Sequence, residues 1–200
     1  MAIAKINNKT DILSLNISEL EEYIESIGEK KFRAKQIFSW LHKKRAESFE
    51  QMSDISMPLR ERLLEECVIN YPAIEKKLCS KKDGTLKYLY RLYDGNFVET
   101  VFMEYKTGMS ICVSTQVGCK MGCRFCASAI AGYVRDLLPS EILGQIYKTE
   151  KDTGKKVSGI VLMGIGEPLD NFDNVMRFLE LVSEPMGTGL SLRHVTLSTC

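Results

Sequence analysis

The second half of the chain alternates between short apolar runs and segments with helical spacing. Three apolar runs are predicted strands: Ser110 to Ser114, Val157 to Met163 and His194 to Ser198. The segments between them, Ser140 to Glu150 and Phe172 to Val182, have the apolar periodicity of helices. Because apolar strands that alternate with helices form parallel sheets covered by helices, the sequence predicts an α/β fold for this part of the chain.

The N-terminal third of the chain has helical periodicity throughout. Ser18 and Glu21 have the spacing of a capping box, which predicts a helix that ends at Gly28. A second helix is expected from about Lys31 to Lys44, and a third begins near Ser56 with a proline in its first turn. The second helix has an apolar stripe, and we expect three of its residues in the core: Phe38, Trp40 and Leu41.

Between these two parts the apolar period changes from helical to alternating. Residues 86–92 alternate between apolar or aromatic and charged side chains for most of their length. Asp94 and Gly95 mark a tight turn, and a second β-rich segment runs from Phe97 to Met103. We therefore expect a β-hairpin that joins the helical part to the α/β part.

Composition bounds the class of protein. With 44% hydrophobic residues, the 200-residue chain can bury a sizeable core. It has neither a run of eighteen apolar residues nor the apolar segment of a signal peptide, so we expect a soluble, cytoplasmic protein without a membrane segment. Seven irregularly spaced cysteines do not form a disulfide framework, because the cytosol keeps thiols reduced. The cysteines should therefore bind something or react.

The net charge of +1 conceals two basic groups. The first lies in residues 30–45, a segment without any acidic residue, and comprises Lys30, Lys31, Arg33, Lys35, Lys43, Lys44 and Arg45. The second flanks two tyrosines and comprises Lys76, Lys77, Lys81, Lys82, Lys87 and Arg91. Such groups are either solvated faces of helices and strands or the electrostatic footprint of a nucleic-acid surface. Composition does not decide between these two interpretations.

Three cysteines, Cys119, Cys123 and Cys126, form a C-x3-C-x2-C motif in a loop directly after a predicted strand. Three thiolates at this spacing can hold three corners of an iron–sulfur cube and leave one iron without a protein ligand. A structural zinc site needs four ligands, and the nearby fourth candidate is Cys112. The ligand count therefore favours an iron–sulfur cluster over zinc. Phe125, inside the motif, either shields such a cluster or simply packs.

The sequence around this motif resembles a known family. The stretch CVSTQVGCKMGCRFCAS is similar to the signature of radical S-adenosylmethionine enzymes, and in particular to the RlmN family of adenine carbon-2 RNA methyltransferases. Pro168, after Gly166 and Glu167, favours this group over related enzymes that methylate carbon 8. Further segments resemble the family in the same order along the chain: Phe32 to Gln36, Val98 to Val101, Met163 to Asn171 (MGIGEPLDN) and Arg193 to Cys200 (RHVTLSTC).

The resemblance implies a fold and a division of the chain. The implied fold is α/β, with the first three strands of a partial (β/α) radical SAM barrel preceded by a small helical module and a β-hairpin. We expect a basic helical RNA-binding module over residues 1–70, a hairpin connector over residues 71–108 and the first part of the barrel over residues 109–200. Family members continue through about as many strands again. We therefore expect this chain to be an N-terminal part with an unpaired sheet edge.

The resemblance also implies two cofactors. The three motif cysteines would bind a [4Fe-4S] cluster, whose open iron holds S-adenosylmethionine and cleaves it to a 5'-deoxyadenosyl radical. Gly166, Glu167 and Ser198 match residues that contact S-adenosylmethionine, at strand ends where such barrels place their site. Considered alone, Gly164 and Gly166 are equally typical of a turn and of a close approach between backbone and ligand.

Two further residues match catalytic positions of the family. Glu99 corresponds to a glutamate that moves a proton at the methylated carbon, although alternation alone predicts an outward carboxylate on an edge strand. Cys112 corresponds to a cysteine that frees the product by forming a transient disulfide, although alone it is typical of a buried strand thiol. Other side chains of these types have no matching role, and we expect packing for Cys67 and Cys79 and structural roles for His42 and His194.

The implied function is methyl transfer to carbon 2 of an adenine in ribosomal RNA, with transfer RNA as a second substrate. An electron donor such as flavodoxin or ferredoxin, and a monomeric state of the complete protein, are implied with it. The family's methyl-accepting cysteine lies near the distal terminus and is not matched by Cys200, so we expect no methylation by this chain alone. The alternative is a metal-stabilised RNA-binding protein in which the cysteines hold zinc.

Overall fold

The structure, a computed structural model, describes residues 4–130 and 132–200. Its α-helices are α1 (Ile17–Ser26), α2 (Phe32–Phe38), α3 (Met57–Glu66), α4 (Pro139–Thr153) and α5 (Phe172–Ser183). Its strands are β1 (Lys5–Ile6), β2 (Lys9–Asp11), β3 (Cys67–Val68), β4 (Ala73–Cys79), β5 (Leu86–Arg91), β6 (Phe97–Tyr105), β7 (Gly108–Cys112), β8 (Gln116–Gly118), β9 (Tyr133–Asp136), β10 (Gly159–Leu162) and β11 (Val195–Leu197). All helices predicted from the sequence are present, within a few residues of their predicted bounds.

The chain forms two compact units. One contains the residues up to Asn70 together with Arg177–Leu190, and the other contains Tyr71–Met176 with Ser191–Cys200. The predicted division into three segments, with boundaries at residues 70 and 108, stays a prediction. Within the described ranges, none of the helices has the length and apolar character needed to cross a membrane.

In the first unit, helix α1 is capped by Asn16 and not by Ser18. The Asn16 side chain accepts a hydrogen bond from Glu19 N–H at 2.9 Å, and the Glu19 carboxylate accepts one from Asn16 N–H at 3.1 Å. The predicted capping pair, Ser18 and Glu21, is wrong by two residues because the same spacing occurs twice and asparagine caps as well as serine. The predicted stop is confirmed, since Gly28 has a φ of 79° just after the helix.

The second predicted helix is present, but its winding changes along its length. Helix α2 ends at Phe38 and continues as a π-helical turn over Ser39–Lys43. Phe38 and Leu41 are buried, as predicted. His42 is also buried, with its ring centroid 4.3 Å from that of Phe38. This turn therefore contributes directly to the core of the first unit.

Trp40, in the same turn, is not a core residue, and that prediction is wrong. Its side chain is only half-buried, and its indole N–H donates a hydrogen bond to the Asp54 carboxylate. The Lys44 ammonium lies 3.5 Å from the ring centroid. A helical stripe assumes 3.6 residues per turn, whereas a π turn takes up one more residue and so shifts the side chains that follow relative to the buried face.

The second unit is built on one six-stranded sheet with the order β11-β10-β7-β6-β5-β4. Strands β7, β10 and β11 run parallel, as predicted for the α/β part. The predicted hairpin is confirmed as β5 and β6, but these strands continue the same sheet through antiparallel pairing with β4 and β7. The sequence does not predict β4, because its segment AIEKKLC is mostly polar and lies exposed at the sheet edge.

Helix α4 covers one face of this sheet. Tyr90 of β5 shares a hydrogen bond of 2.8 Å with Thr149, and Thr100 of β6 donates one of 2.7 Å to the Gln145 side chain. Residues that alternate with these along β5 and β6 point to the opposite face, because successive side chains in a strand change sides. That opposite face is only partly buried along β6, so the sheet has one covered and one open face.

Candidate functional site

A pocket of about 340 Å³ lies at the ends of the parallel strands in the second unit. Three segments line it: residues between Cys119 and Ser128, residues from Leu162 to Glu167, and residues Ser198 to Cys200. These segments follow strands β8, β10 and β11 or form their ends. Strand β8 itself follows β7, and β7, β10 and β11 are parallel neighbours, so all three segments lie at the same edge of the sheet. This edge is where α/β sheets place ligands.

The pocket brings together six of the eight residues predicted for the site: Cys119, Cys123, Cys126, Gly166, Glu167 and Ser198. The other two, Glu99 and Cys112, do not line it. The candidate site therefore has a pocket, formed by the strand ends, and two separate side chains on the sheet itself.

The three motif cysteines lie in a loop fixed by backbone hydrogen bonds. Cys119 N–H donates to Gly132 O at 3.1 Å, and Cys126 N–H donates to Cys123 O at 3.0 Å. Gly118 has a φ of 72°, and a Cβ there would lie 1.6 Å from Gly132 O, so only glycine fits before the first cysteine. All three thiols are half-buried and free of disulfides, which leaves them available as ligands.

Cys200 is the fourth thiol of the pocket. Its Sγ lies 3.5 Å from Glu167 Oε2 and is within hydrogen-bonding reach of the Cys123 thiol. In the part of the chain that the structure describes, no group of three or more Cys, His, Asp or Glu side chains is positioned to hold a metal ion. Any four-thiol set at this pocket would include Cys200 and not Cys112, which the sequence offers as the fourth candidate for a zinc site.

Gly164 and Gly166 are required by packing of one loop against another. A Cβ on Gly164 would lie 2.6 Å from Val113 O and 2.7 Å from Ser114 N. Gly166 has a φ of 106°, and its Cβ would lie 2.7 Å from Gln116 N. Both glycines do line the pocket, but the atoms that exclude a side chain belong to the segment after β7. Close approach to the protein's own backbone is therefore sufficient to explain both.

Glu167 is nearly buried and accepts several hydrogen bonds. Leu169 N–H donates to its Oε1 at 3.0 Å, and Cys200 N–H donates to its Oε2 at 3.1 Å. Burial alone would raise the pKa of Glu167, but hydrogen bonds from Leu169, Thr199 and Cys200 lower it overall. The carboxylate is therefore charged at neutral pH. It also connects the segment after β10 to the end of the chain, next to Ser198.

Cys112 lies at the end of β7, between Val101 of β6 and Val161 of β10. Its side chain is half-buried and free. Burial raises the pKa of the Cys112 thiol, and a hydrogen bond from Met163 N–H offsets part of that rise. Met163 also lines the pocket, so the Cys112 thiol is hydrogen-bonded to the backbone of a pocket residue.

Glu99 lies on β6, which is an interior strand between β5 and β7 and not the edge strand expected from alternation. Its carboxylate is 2.8 Å from the Lys87 ammonium, and both side chains are about half exposed. Because Val101 pairs with Cys112 and strand side chains repeat every second residue, Glu99 and Cys112 point to the same open face of the sheet. The two sheet residues predicted for the site therefore share one surface.

Two family models match the chain in succession. Residues 10–69 match the ribosomal RNA large subunit methyltransferase N-terminal domain, and residues 113–200 match the radical SAM superfamily. A probable dual-specificity RNA methyltransferase RlmN from Lachnospira eligens is 52% identical over 96% of this chain. A protein of the same description from Clostridium perfringens (strain 13) is 52% identical over 95% of it. Over the matched residues, the chain is therefore similar to the RlmN family.

The RlmN relatives are longer than the chain, which spans 55% of each of these two proteins, about half their length. A crystal structure of a radical SAM methyltransferase from Sphaerobacter thermophilus has the same fold. Its TM-score is 0.87 at 33% identity, over 94% of this chain and 56% of that one. The predicted α/β class, with the first strands of a radical SAM barrel, is therefore confirmed.

Sequence patterns alone do not single out the polar residues that join the pocket loops. Asn171 is buried, and its side-chain amide donates to Thr115 O at 2.8 Å and to Leu137 O at 2.9 Å. Gln116 is fully buried and donates to Asp170. A buried amide produces no periodicity in a sequence. In the sequence, such a residue can be recognised only by its position within a motif.

The predictions for the remaining cysteines and histidines are only partly confirmed. Cys67 is buried as predicted, donates to the Tyr23 hydroxyl at 3.1 Å, and has its pKa raised to about 11 by burial. Cys79 is exposed on β4, so its assignment to packing is wrong. His42 is buried, in agreement with a structural role, whereas His194 is exposed.

The two basic groups differ in how far acidic partners neutralise them. Lys77, Lys87 and Arg91 of the second group each form an ion pair within its own unit, at 2.5, 2.8 and 3.1 Å. In the first group, Lys31 pairs with Glu21 at 3.1 Å. Four exposed lysines flank α2 and its π turn; we call these the α2 lysines: Lys30, Lys31, Lys43 and Lys44.

Proposed function

We propose that the chain belongs to a radical S-adenosylmethionine methyltransferase that modifies carbon 2 of an adenine in ribosomal RNA and also in transfer RNA. The observation that supports this most strongly is the single pocket shared by the three motif cysteines with Gly166, Glu167 and Ser198. The relatives' description as dual-specificity RNA methyltransferases supports an RNA substrate. Because those relatives are longer, the complete reaction is proposed for the whole protein of this family.

The motif cysteines are the proposed ligands of a [4Fe-4S] cluster. They fit this role because three half-buried thiols, none of them in a disulfide, line one pocket. When bound, such a cluster supplies an electron and an open iron for S-adenosylmethionine. The contribution of the chain is the three thiolates and, beside them, a pocket in the size range of small-ligand sites.

Gly166, Glu167 and Ser198 are the proposed S-adenosylmethionine contacts. The hydrogen bonds that lower the pKa of Glu167 keep it anionic. An anionic carboxylate in a mostly enclosed setting attracts a cationic ammonium group more strongly than it would in bulk water. Glu167 can therefore recognise the amino group of the ligand, while the two small residues leave room for it.

Glu99 and Cys112 are the proposed residues on the substrate side. The Glu99 carboxylate lies on the open face, where it can take a proton from an adenine ring carbon, and Lys87 is its partner until RNA arrives. Cys112 would attack the sulfur of the family's distal methyl-accepting cysteine, and the bond from that sulfur to the adenine-linked carbon would break as the transient disulfide forms and the product is freed. Because burial raises the pKa of this thiol, it must lose its proton at that step.

The α2 lysines are the proposed phosphate contacts, since four exposed ammonium groups on one helical segment suit an RNA backbone. An adenine must leave its stack before a ring carbon can react, so an unstacked base in an RNA loop is the proposed target. We also propose a cytoplasmic, monomeric protein that takes electrons from a small carrier such as flavodoxin or ferredoxin.

Anaerobic reconstitution with iron and sulfide tests the cluster assignment. We expect about four iron and four sulfide per chain and a brown absorbance, lost on replacing any motif cysteine by alanine. Cys67→Ala and Cys79→Ala are matched controls that should keep the cluster. A wild-type chain that takes up no iron and sulfide would refute the assignment.

A second candidate is a metal-stabilised RNA-binding protein with zinc at the cysteines. The observation that favours it is the fourth thiol, Cys200, in the same pocket. A tetrahedral zinc site needs four ligands, whereas three cysteines suffice for the cluster. One zinc ion per chain in protein purified without air would favour this candidate.

A further inference from the structure

Gln116 lies between the cysteine loop and the segment that carries Glu167. The side chain is fully buried, and its Oε1 accepts a hydrogen bond from Glu167 N–H at 2.9 Å. Its Nε2 donates to Asp136 Oδ1 and to Asp170 Oδ2, both at 2.8 Å. Both donors and the acceptor of this buried amide are therefore used, which fixes its orientation.

The backbone beside Gln116 holds the same segment. Thr115 N–H and Gln116 N–H both donate to Ile165 O, at 2.9 and 3.1 Å. Ile165 N–H donates in turn to the Ser114 hydroxyl at 3.0 Å. Next to it, a Cβ on Gly166 would lie 2.6 Å from the Gln116 Cβ. The position of the segment after β10 is thus set by the segment after β7.

Asp170 extends this connection to the cysteine loop. Its Oδ2 accepts from the Gln116 amide at 2.8 Å and forms an ion pair with Lys120 at 2.9 Å. Lys120 directly follows Cys119, and Gln116 precedes that cysteine by three residues. One carboxylate and one amide therefore join the two loops that form opposite parts of the pocket lining.

We propose that Gln116 is a positioning residue for this pocket. Through Glu167 N–H and Asp170, Gln116 holds the S-adenosylmethionine-contacting segment against the cysteine loop. Gln116 does not itself line the pocket, so it acts through these partners. The identity of the ligand rests on the proposed function. The positioning itself rests only on the contacts of Gln116.

Site-resolved amide hydrogen exchange on this chain tests the positioning. Gln116→Met keeps the side-chain volume and removes all three hydrogen bonds, so amides of residues 164–167 should exchange about tenfold faster. Gln116→Glu replaces the Nε2 donor by a carboxyl oxygen against the Asp136 and Asp170 carboxylates, so it should speed exchange at residues 164–167 as well. Thr149→Val is the matched control, because it removes a buried hydrogen bond from α4 and should leave residues 164–167 unchanged. Wild-type exchange at residues 164–167 in Gln116→Met would overturn the proposal.

Cofactor titration tests the purpose of the positioning. Reconstituted Gln116→Met should hold wild-type iron, because its three cysteines are intact, yet need about tenfold more S-adenosylmethionine to alter the cluster's electron paramagnetic resonance spectrum. Wild-type affinity together with fast loop exchange would overturn the link to the cofactor. A wild-type chain without iron would refute the proposed function, and the exchange experiment would still decide the role of Gln116.

Discussion

Three glycine-to-alanine variants can separate backbone strain from steric overlap around the pocket. Gly166 combines a φ of 106° with a Cβ position 2.6 Å from the Gln116 Cβ. Gly164 has a φ outside the left-handed region, but its Cβ would lie 2.6 Å from Val113 O. Gly154, at the end of α4, has a φ of 67° and nothing within 4 Å of its Cβ. Gly164 therefore tests steric overlap alone, Gly154 tests backbone strain alone, and Gly166 tests both together. All three glycines lie in the second unit.

The expected losses in unfolding free energy follow from this geometry. Gly154→Ala bears only the left-handed backbone, which costs about 1 kcal/mol. Gly164→Ala forces a methyl group onto the backbone and should cost about 2 to 3 kcal/mol, since backbone cannot rotate away as a side chain can. Gly166→Ala bears both penalties and should cost about 4 kcal/mol. Against a typical total of about 5–15 kcal/mol, the last variant should be close to unfolding.

Urea unfolding followed by far-ultraviolet circular dichroism is the suitable assay. Tryptophan fluorescence is not, because the single tryptophan, Trp40, belongs to the first unit. The order of stability should be wild type, then Gly154→Ala, Gly164→Ala and Gly166→Ala. If Gly166→Ala lost no more than Gly154→Ala, the contact with Gln116 would be free to relax, and packing would not explain the glycine.

Three further predictions concern the metal, the RNA and pH. Cys200→Ala should keep the iron–sulfur chromophore that the motif cysteines hold, whereas loss of metal in that variant would favour the four-thiol zinc site. Replacing the α2 lysines by Gln should lower the slope of log affinity against log salt by about one for each lost phosphate contact, with a smaller share from Lys31, which pairs with Glu21. Lys77→Gln and Arg91→Gln, whose charges are paired with Asp152 and Glu75, should leave the slope unchanged. Burial lowers the pKa of His42 to about 3, so below the unfolded pKa of about 6.5 only the unfolded state gains the proton. Stability of the first unit, followed by Trp40 fluorescence, should therefore fall by about 1.4 kcal/mol per pH unit from pH 6.5 towards pH 5, and His42→Phe should reduce that slope.

Elements with a strong apolar period were predictable, and elements held by their neighbours were not. The hairpin of β5 and β6 and the strands β7, β10 and β11 follow from alternation and apolar runs. Strand β4 does not, because it is defined by pairing with β5 while its own side chains are exposed. Trp40 shows the same limit within a helix, since a π turn depends on tertiary packing and leaves no trace in the apolar period.

The site was predictable where motif residues follow strand ends. Glu167 and Ser198 follow the parallel strands β10 and β11, and the three cysteines follow β7 by way of β8, so all of them converge at one edge of the sheet. Gln116 and Cys200 could not be found in this way, because their roles depend on single contacts across the fold. Glu99 was expected on an edge strand, and its interior position depends on β4 and β5 completing the sheet.

The separation of Glu99 and Cys112 from the pocket follows from the shape of the sheet. The pocket is formed at the strand ends, whereas these two side chains stand on the open face, and one wall residue, Met163, contacts Cys112 through its N–H. A small ligand in the pocket and a nucleobase on the open face would therefore approach the end of β7 from different directions. On the proposed function, this arrangement would place the cofactor and the RNA base on separate surfaces. It also predicts that Glu99→Gln, whose side chain pairs with Lys87 and does not line the pocket, should leave S-adenosylmethionine binding unchanged. A weakened affinity in that variant would show that the two surfaces are not independent.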